Sequence, residues 1–223
     1  MPVATPSTKL QIVLAAERLF AQHGLDGVSL RQIGAAAGNA NNSAVQYHFG
    51  SRDRLVEAVF DHRLPQLREL YTAQFNQRNP QDLRGLVECQ AFAVLHQGEQ
   101  PGSHYLRFIS MLQQYGKRDV FSRHPEEVFE RHRNLHAQLA ASLPDVPEQL
   151  LAQRLSRAMI LIVQTVANRE TAQASNRDVL PFALEGADLV DSVLGLLQAP
   201  VSNETRAAFM RASEKELNKP YFL

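Results

Sequence analysis

Residues 29–55, SLRQIGAAAGNANNSAVQYHFGSRDRL, contain the most informative pattern of this 223-residue chain. Ser29 precedes an apolar-periodic run and Gln32 follows three residues later, so the two predict a capping box at the start of a helix. Gly38 supplies a left-handed stop, and Gly50 ends a second short helix in the same way. The stretch therefore predicts two short helices joined by a tight turn, which is the layout of a helix-turn-helix.

The second short helix, with Asn41 as its predicted cap, exposes donor-rich and mostly uncharged side chains. Asn and Gln pair with adenine edges, Ser reaches phosphates or bases, and Tyr commonly donates to phosphate. The candidate DNA contacts on this helix are Asn42, Ser43, Gln46, Tyr47 and His48. An ordinary solvated face beside an Asn-rich turn remains the alternative, because turns rich in Gly and Asn are common.

A helix upstream shifts the balance towards DNA binding. Thr8 and Gln11 predict a second capping box, and the helix KLQIVLAAERLFAQHG stops at Gly24. Its inward residues, at helical spacing, are Ile12, Ala16, Leu19 and Phe20. Three helices in roughly 50 residues can close a small core.

Three ordered blocks, IVLAAERLFAQHG, GVSLRQIGAAAG and AVQYHFGSRDRL, resemble the N-terminal domain of the tetracycline-repressor (TetR) family of transcriptional regulators. The resemblance covers residue 12 to about residue 55. It implies an all-helical homodimer with a DNA-binding head and a divergent effector-binding body, which usually acts as a repressor.

The resemblance also assigns DNA contacts by position. Ser29 and Arg31 match phosphate or base contacts at the start of the second helix, and Arg52 matches a commonly basic position at the start of the fourth. The recognition helix supplies Asn41, Asn42, Ser43, Gln46, Tyr47 and His48, of which Tyr47 matches an aromatic phosphate contact. The interval from Gly38 to Phe49 is one residue longer than in many members, so the assignment of Asn41 and Asn42 can shift by one position.

Charge predicts how the DNA backbone is held. The chain has 23 Lys and Arg against 23 Asp and Glu, so no basic field covers the whole molecule. Residues 1–55 carry a net charge of only +2. We therefore expect phosphate binding to rely on helix N-termini, neutral donors and a few cations, with a shallow salt dependence.

Other features bound the function class. A single cysteine, Cys89, excludes an internal disulfide and fits a reducing cytoplasm, and no signal peptide or apolar run near 18 residues is found. His132 and His136 lie one turn apart without further ligands, so no metal or other cofactor is expected. No P-loop or Gly-x-Ser-x-Gly elbow is found, so an all-helical enzyme is disfavoured. A helical protein-interaction module without DNA binding remains the other alternative.

The remainder of the chain predicts helices throughout, which gives an all-α fold of nine or ten helices. We expect a DNA-binding domain over residues 1–55 and an effector-binding and dimerisation domain over 56–223, linked by a helix that begins at Ser51. Pro65 should kink or break that linking helix. The next helix should open with Asn79 as cap and Pro80 at its first position.

Two late helices, at about 147–170 and 178–198, predict a dimer. Residues 158–163 are apolar around the whole helix, whereas a helix covered on one side would keep a polar face. The predicted four-helix interface with a second copy consists of Leu155, Met159, Ile162, Val166, Leu184, Ala187, Val190 and Leu194. A buried central helix in a monomer is the alternative. A dimer would read a palindromic operator on double-stranded DNA.

A small-molecule effector is implied by the resemblance. The candidate pocket residues, on helices that line the ligand cavity in similar proteins, are Phe92, His96, Tyr105, Phe108 and Met111. An aromatic and Met stripe of this kind is more often ordinary core.

Overall fold

The computed structural model describes residues 7–38, 43–114 and 126–212, and all regular secondary structure in these ranges is α-helical. Ten helices follow one another, which confirms the predicted fold class. They are α1 (Thr8–His23), α2 (Leu30–Ala36), α3 (Ser43–Phe49), α4 (Arg52–Arg78), α5 (Leu83–Gly98), α6 (Tyr105–Gln114), α7 (Glu126–Ser142), α8 (Glu148–Ala174), α9 (Phe182–Gln198) and α10 (Asn203–Arg211). We call α1–α3 the head and α5–α10 the body; α4 joins them.

The helix ends in the head follow local sequence signals. Ser29 and Gln32 form the predicted capping box, in which the Gln32 amide donates to Ser29 Oγ at 3.2 Å and the Ser29 amide donates to Gln32 Oε1 at 2.8 Å. Ser51 caps α4 by accepting from the Arg54 amide. One cap prediction was wrong: α1 is capped by Ser7, whose Oγ accepts from the Leu10 amide, so Thr8 is already the first helical residue.

The head has a core to which each helix contributes. α2 and α3 have only seven residues each, so neither would be stable alone in water. Val45 and Phe49 of α3 are buried, and a Cβ added at Gly34 of α2 would lie 3.3 Å from a Val45 methyl carbon. Glycine at this position therefore lets the two short helices approach closely.

α4 runs without a break from Arg52 to Arg78, so the predicted break at Pro65 was wrong. A proline inside a helix removes one backbone donor, here the partner of the Asp61 carbonyl. Asp61 and Pro65 are both exposed, so water can satisfy that carbonyl. Val59 and Phe60, on the opposite side of the helix, are buried. Packing on the buried side therefore keeps the helix continuous from head to body.

The start of α5 also differs from the prediction. Asn79 does not open this helix; it ends α4 in the left-handed conformation, with φ 44° and ψ 62°. Asp82 is the N-cap of α5, and its Oδ1 accepts from the Gly85 amide at 2.8 Å. Both residue types favour caps, and the two residues between them, Pro80 and Gln81, form the link.

α8 lies at the centre of the body and contacts α5, α6 and α9. It approaches α5 so closely that a Cβ at Gly98 would lie 2.3 Å from Val166 Cγ1. In the described part of the chain, α8 alone is long and apolar enough to cross a membrane by length and composition. From the sequence, no apolar run near 18 residues was expected. Core helices of soluble proteins meet the same criterion, and α8 packs here against α5, α6, α7 and α9.

The eight residues of the predicted dimer surface differ in how deeply the structure buries them. Four of the eight residues face the chain's own core and are unavailable to a second copy without opening it: Ile162, Val166, Val190 and Leu194. Leu155 and Met159 are partly buried against that core, whereas Leu184 and Ala187 are exposed. The exposed apolar residues that the prediction omitted are Ile160 on α8 and Leu180 before α9. The last helix, α10, was not predicted.

Candidate nucleic-acid interface

α3 has one side for folding and another for contact. Val45 is fully buried and Phe49 nearly so, which fixes α3 against α1, α2 and α4. Gln46, Tyr47 and His48 are exposed, and the Tyr47 side chain is 84% exposed. The exposed Tyr47 side chain is therefore available for a contact outside the chain.

Side chains on the exposed side of α3 make a ring contact and a hydrogen bond within the head. The Tyr47 and His48 rings meet edge to face, with 5.2 Å between centroids. Gln46 Nε2 donates to the Gly50 carbonyl at 3.0 Å. Bidentate pairing with adenine uses one N–H and the oxygen of the amide, and the bond to Gly50 uses only one of the two N–H donors of Gln46.

Ser29 and Arg31, the two predicted DNA contacts at the start of α2, differ in their surroundings. The Ser29 hydroxyl is engaged with Gln32 in the capping box, so it holds the start of α2. Arg31, two residues further along the chain, is exposed. Asn41 and Asn42 lie outside the described residues, as does the side chain of Ser43, so their assignment stays a prediction.

Arg52 is held by the loop between α1 and α2. Its Nη1 lies 3.2 Å from Asp26 Oδ1, and its Nη2 donates to the Val28 carbonyl at 2.9 Å. The side chain keeps 36% of its surface exposed. A phosphate at this position would therefore share the guanidinium with Asp26, and the predicted phosphate contact stays a prediction.

Lys9 is a further candidate for a DNA contact, which from the sequence entered only the net charge of residues 1–55. It is exposed in the first turn of α1, and its Nζ lies 6.0 Å from the centre of the Phe49 ring on α3. A cation in a first turn is disfavoured by the helix dipole, which could have drawn attention to it. Lys9 thus adds a positive charge near the end of α3.

The five predicted effector residues lie on α5 and α6. Tyr105 and Phe108 pack with Phe60, at centroid distances of 6.3 and 5.7 Å. Phe92 and His96 contact Phe182 of α9, at 6.0 and 4.8 Å. Met111 is buried on α6. That these five residues line one effector cavity stays a prediction.

The remaining candidates from the sequence are Cys89 and the pair His132 and His136. Cys89 is buried, and burial raises the pKa of its thiol, so it stays protonated and unreactive. No group of three His, Cys, Asp or Glu residues that could hold a metal is found within the described ranges. The His132 side chain lies outside them.

Residues 12–59 match the family model described as "Bacterial regulatory proteins, tetR family". This match spans α1, α2, α3 and the first part of α4. The head and the start of α4 are thus similar to the N-terminal domain of the tetR family. Gln46, Tyr47 and His48 thus lie on the second helix of its helix-turn-helix.

Two sequence relatives match a part of this chain. An HTH-type transcriptional regulator of Mycobacterium bovis and an HTH-type transcriptional repressor of Mycobacterium tuberculosis are each 42% identical over 62 residues. These matches cover 28% of this chain and 32% of each relative. The chain thus spans about a third of the length of the curated relatives that it matches.

Solved structures extend the likeness to the whole fold. A tetR-family transcription regulator of Shewanella sp. PV-4 aligns with a TM-score of 0.59 at 19% identity, and covers 86% of this chain and 97% of its own. The fatty acid degradation regulator FadR of Bacillus halodurans aligns with a TM-score of 0.56 at 16% identity, with the same coverage. At these identities the likeness shows a shared helical fold alone.

Proposed function

We propose that this chain is a sequence-specific DNA-binding transcriptional repressor. The observation that carries the proposal is α3, a TetR-family recognition helix that is anchored by Val45 and Phe49 and exposes Gln46, Tyr47 and His48. Arg31 and Lys9 add exposed cations on the neighbouring helices. The proposed DNA-binding domain is residues 1–55, and residues 56–223 form the effector and dimerisation domain in the cytoplasm.

The proposed operator is palindromic and bound by a homodimer. A twofold pair places two recognition helices about 34 Å apart on one face of DNA. Ile160 of α8, Leu180 just before α9 and Leu184 of α9 are between 46% and 54% exposed, so large aliphatic side chains are available there for an interface formed by α8 and α9. Leu184 and Ala187 are the members of the predicted interface that this surface retains.

The proposed control is release from DNA by a small-molecule effector. The supporting observation is the aromatic cluster of Phe92, His96 and Phe182, over which the Arg78 guanidinium lies at 4.7 Å from the Phe92 ring centre. Such a cluster combines apolar walls with a few polar groups, as ligand sites do. Thermal-shift screening of small apolar and aromatic metabolites, followed by a DNA-release assay, tests this part.

Selection of DNA from a random pool tests the central proposal. The full chain should enrich a palindrome, whereas the Gln46→Ala/Tyr47→Ala variant should enrich nothing above background. Both substituted side chains are exposed, so the variant should fold and keep the oligomeric state of the native chain. If the native chain enriches no sequence, a protein-interaction module without DNA binding would be favoured instead. The net charge of zero is compatible with such a module.

A further inference from the structure

A buried carboxylate on the head reaches the linking helix. Glu17 of α1 is only 1% exposed, and its two oxygens accept from Arg63 of α4: Oε2 from Nε at 2.6 Å and Oε1 from Nη2 at 2.8 Å. Arg63 is also buried and donates to Gln66 Oε1 at 3.1 Å. This bidentate pair fixes the rotation of α1 against α4.

The same carboxylate reaches the body. Glu17 Oε1 accepts from the backbone amide of His104 at 2.9 Å. The His104 carbonyl in turn accepts from the Phe108 amide, so His104 is the residue at which α6 starts. The first amides of a helix have no partner within the helix, and here a side chain 87 residues away supplies one.

A second buried carboxylate holds the same turn from the opposite side. Glu170 of α8 accepts from the Arg107 amide at 3.0 Å and from the Leu106 amide at 3.4 Å. It also accepts from the Ser103 hydroxyl at 3.0 Å. The amides at the start of α6 therefore bond to Glu17 from His104 and to Glu170 from Leu106 and Arg107, while the Tyr105 amide donates to the Ser103 hydroxyl at 3.3 Å. We call Glu17, Arg63, Glu170 and the backbone of residues 103–107 the α6 joint.

We propose that Glu17 is a positioning residue for operator binding, which fixes the orientation of the head on the body through its bond to the start of α6. This inference rests on the proposed function. In a twofold pair, the angle between head and body sets the spacing of the two recognition helices. Glu17 would therefore govern binding to a complete palindrome more than binding to one half-site.

Apolar packing at this junction gives affinity between the parts without defining their angle. Phe108 of α6 lies 6.3 Å from Phe20 of α1 and 5.7 Å from Phe60 of α4, measured between ring centroids. Such contacts are non-directional and tolerate small rotations. A short hydrogen bond to a charged acceptor loses strength when its angle changes, so Glu17 selects one orientation among those that the rings permit.

Two substitutions at His104 isolate this bond. His104→Pro removes the amide donor, at a helix start where proline is tolerated, and leaves Glu17 and Arg63 in place. His104→Ala removes the imidazole and keeps the amide, so it is the matched control. A Glu17→Met/Arg63→Met variant removes the pair together and keeps the core filled, which provides a second test if the proline variant does not fold.

The distance from head to body gives a readout that needs no DNA. Nitroxide labels at the exposed positions Gln22 of α1 and Gln138 of α7, in the full chain with Cys89→Ala, are measured by pulsed electron resonance after dilution with unlabelled chain. His104→Pro should broaden or shift the distance distribution, and His104→Ala should leave it unchanged. Identical distributions for the two variants would overturn the inference.

Binding to the selected palindrome gives the second readout. His104→Pro should weaken binding to the full palindrome by about tenfold or more while binding to a duplex with one half-site stays unchanged. Equal loss on both duplexes would indicate a merely folding role and would overturn the inference. Failure of the native chain to select a palindrome would reject the proposed function, and the distance measurement would still decide the role of Glu17.

Discussion

α3 and the α6 joint use side chains in opposite ways. On α3 the residues that fold the helix and the residues proposed to contact DNA lie on different sides, with Val45 and Phe49 buried and Gln46 and Tyr47 exposed. At the α6 joint the buried residues are themselves charged, so the same carboxylate folds the chain and orients its parts. Recognition can therefore be altered on α3 without loss of stability, whereas orientation at the joint cannot be separated from folding so easily.

The separation on α3 predicts the largest contrast. Phe49→Ala should lower the free energy of unfolding by about 3–5 kcal/mol, because it removes a buried ring that anchors a seven-residue helix. Tyr47→Ala, two residues away on the exposed side, should change it by no more than about 0.5 kcal/mol. Urea denaturation followed by circular dichroism measures both. Similar losses for the two variants would contradict the division of α3 into two sides.

Charge pairs at the joint and at the surface give the next contrast. Glu17→Gln leaves the Arg63 cation buried without its counter-charge and should cost about 3–5 kcal/mol of stability. Asp26→Asn breaks the exposed pair with Arg52 and should cost less than about 1 kcal/mol. Thermal and chemical denaturation of the two variants measure the difference. A cost for Asp26→Asn as large as that of Glu17→Gln would show that burial does not set the strength of these pairs.

Proton binding at Glu170 makes the joint sensitive to pH. Burial raises the pKa of Glu170 from its ordinary 4.5 to about 7, against the opposing hydrogen bonds from Arg107, Ser103 and Leu106; the nearby charge of Glu17 raises it further. The folded chain thus holds this proton more tightly than the unfolded chain. The associated stability is fully present below pH 4.5 and is lost as the pH rises through about 7.

The matched variant Glu170→Gln does not titrate at this position. The stability of the native chain relative to this variant should therefore fall by about 3 kcal/mol between acidic and mildly alkaline pH. Denaturation midpoints of both proteins across this pH range measure the difference. A constant difference, or one that grows with pH, would contradict the raised pKa.

The sequence predicted the head well because its signals are local. Capping by Ser29, Gln32 and Ser51 depends on residues three positions apart, and Gly50 ends α3 by adopting a positive φ that few residues allow. α5 was misplaced because Asn79 and Asp82 are competing cap candidates only three residues apart. Packing in three dimensions, which periodicity does not contain, decided between them.

The joint was not predicted, although one signal was present. Glu17 lies at helical spacing from the buried residues Val13 and Phe20, so its charge faces inward and requires a partner. Its partners, Arg63 and the amide of His104, lie 46 and 87 residues away in sequence. No local pattern identifies a contact over such separations.

The smallest expected effect concerns salt. Few cations lie on the proposed DNA surface, and Arg52 already pairs with Asp26, so few counterions should be released on binding. The logarithm of affinity for the selected DNA should fall with the logarithm of salt concentration at a slope far shallower than about −10. Fluorescence anisotropy over a salt series measures it, and a slope near that value would show that cations carry the interface.

The most direct measurement compares the native chain with the Gln46→Ala/Tyr47→Ala variant on DNA selected by the native chain. The account predicts that the variant loses specific binding and retains only the affinity shown for unrelated DNA of equal length. Its melting temperature and oligomeric state should match those of the native chain, because both side chains are exposed. Undiminished specific binding by a folded variant would contradict α3 as the recognition helix.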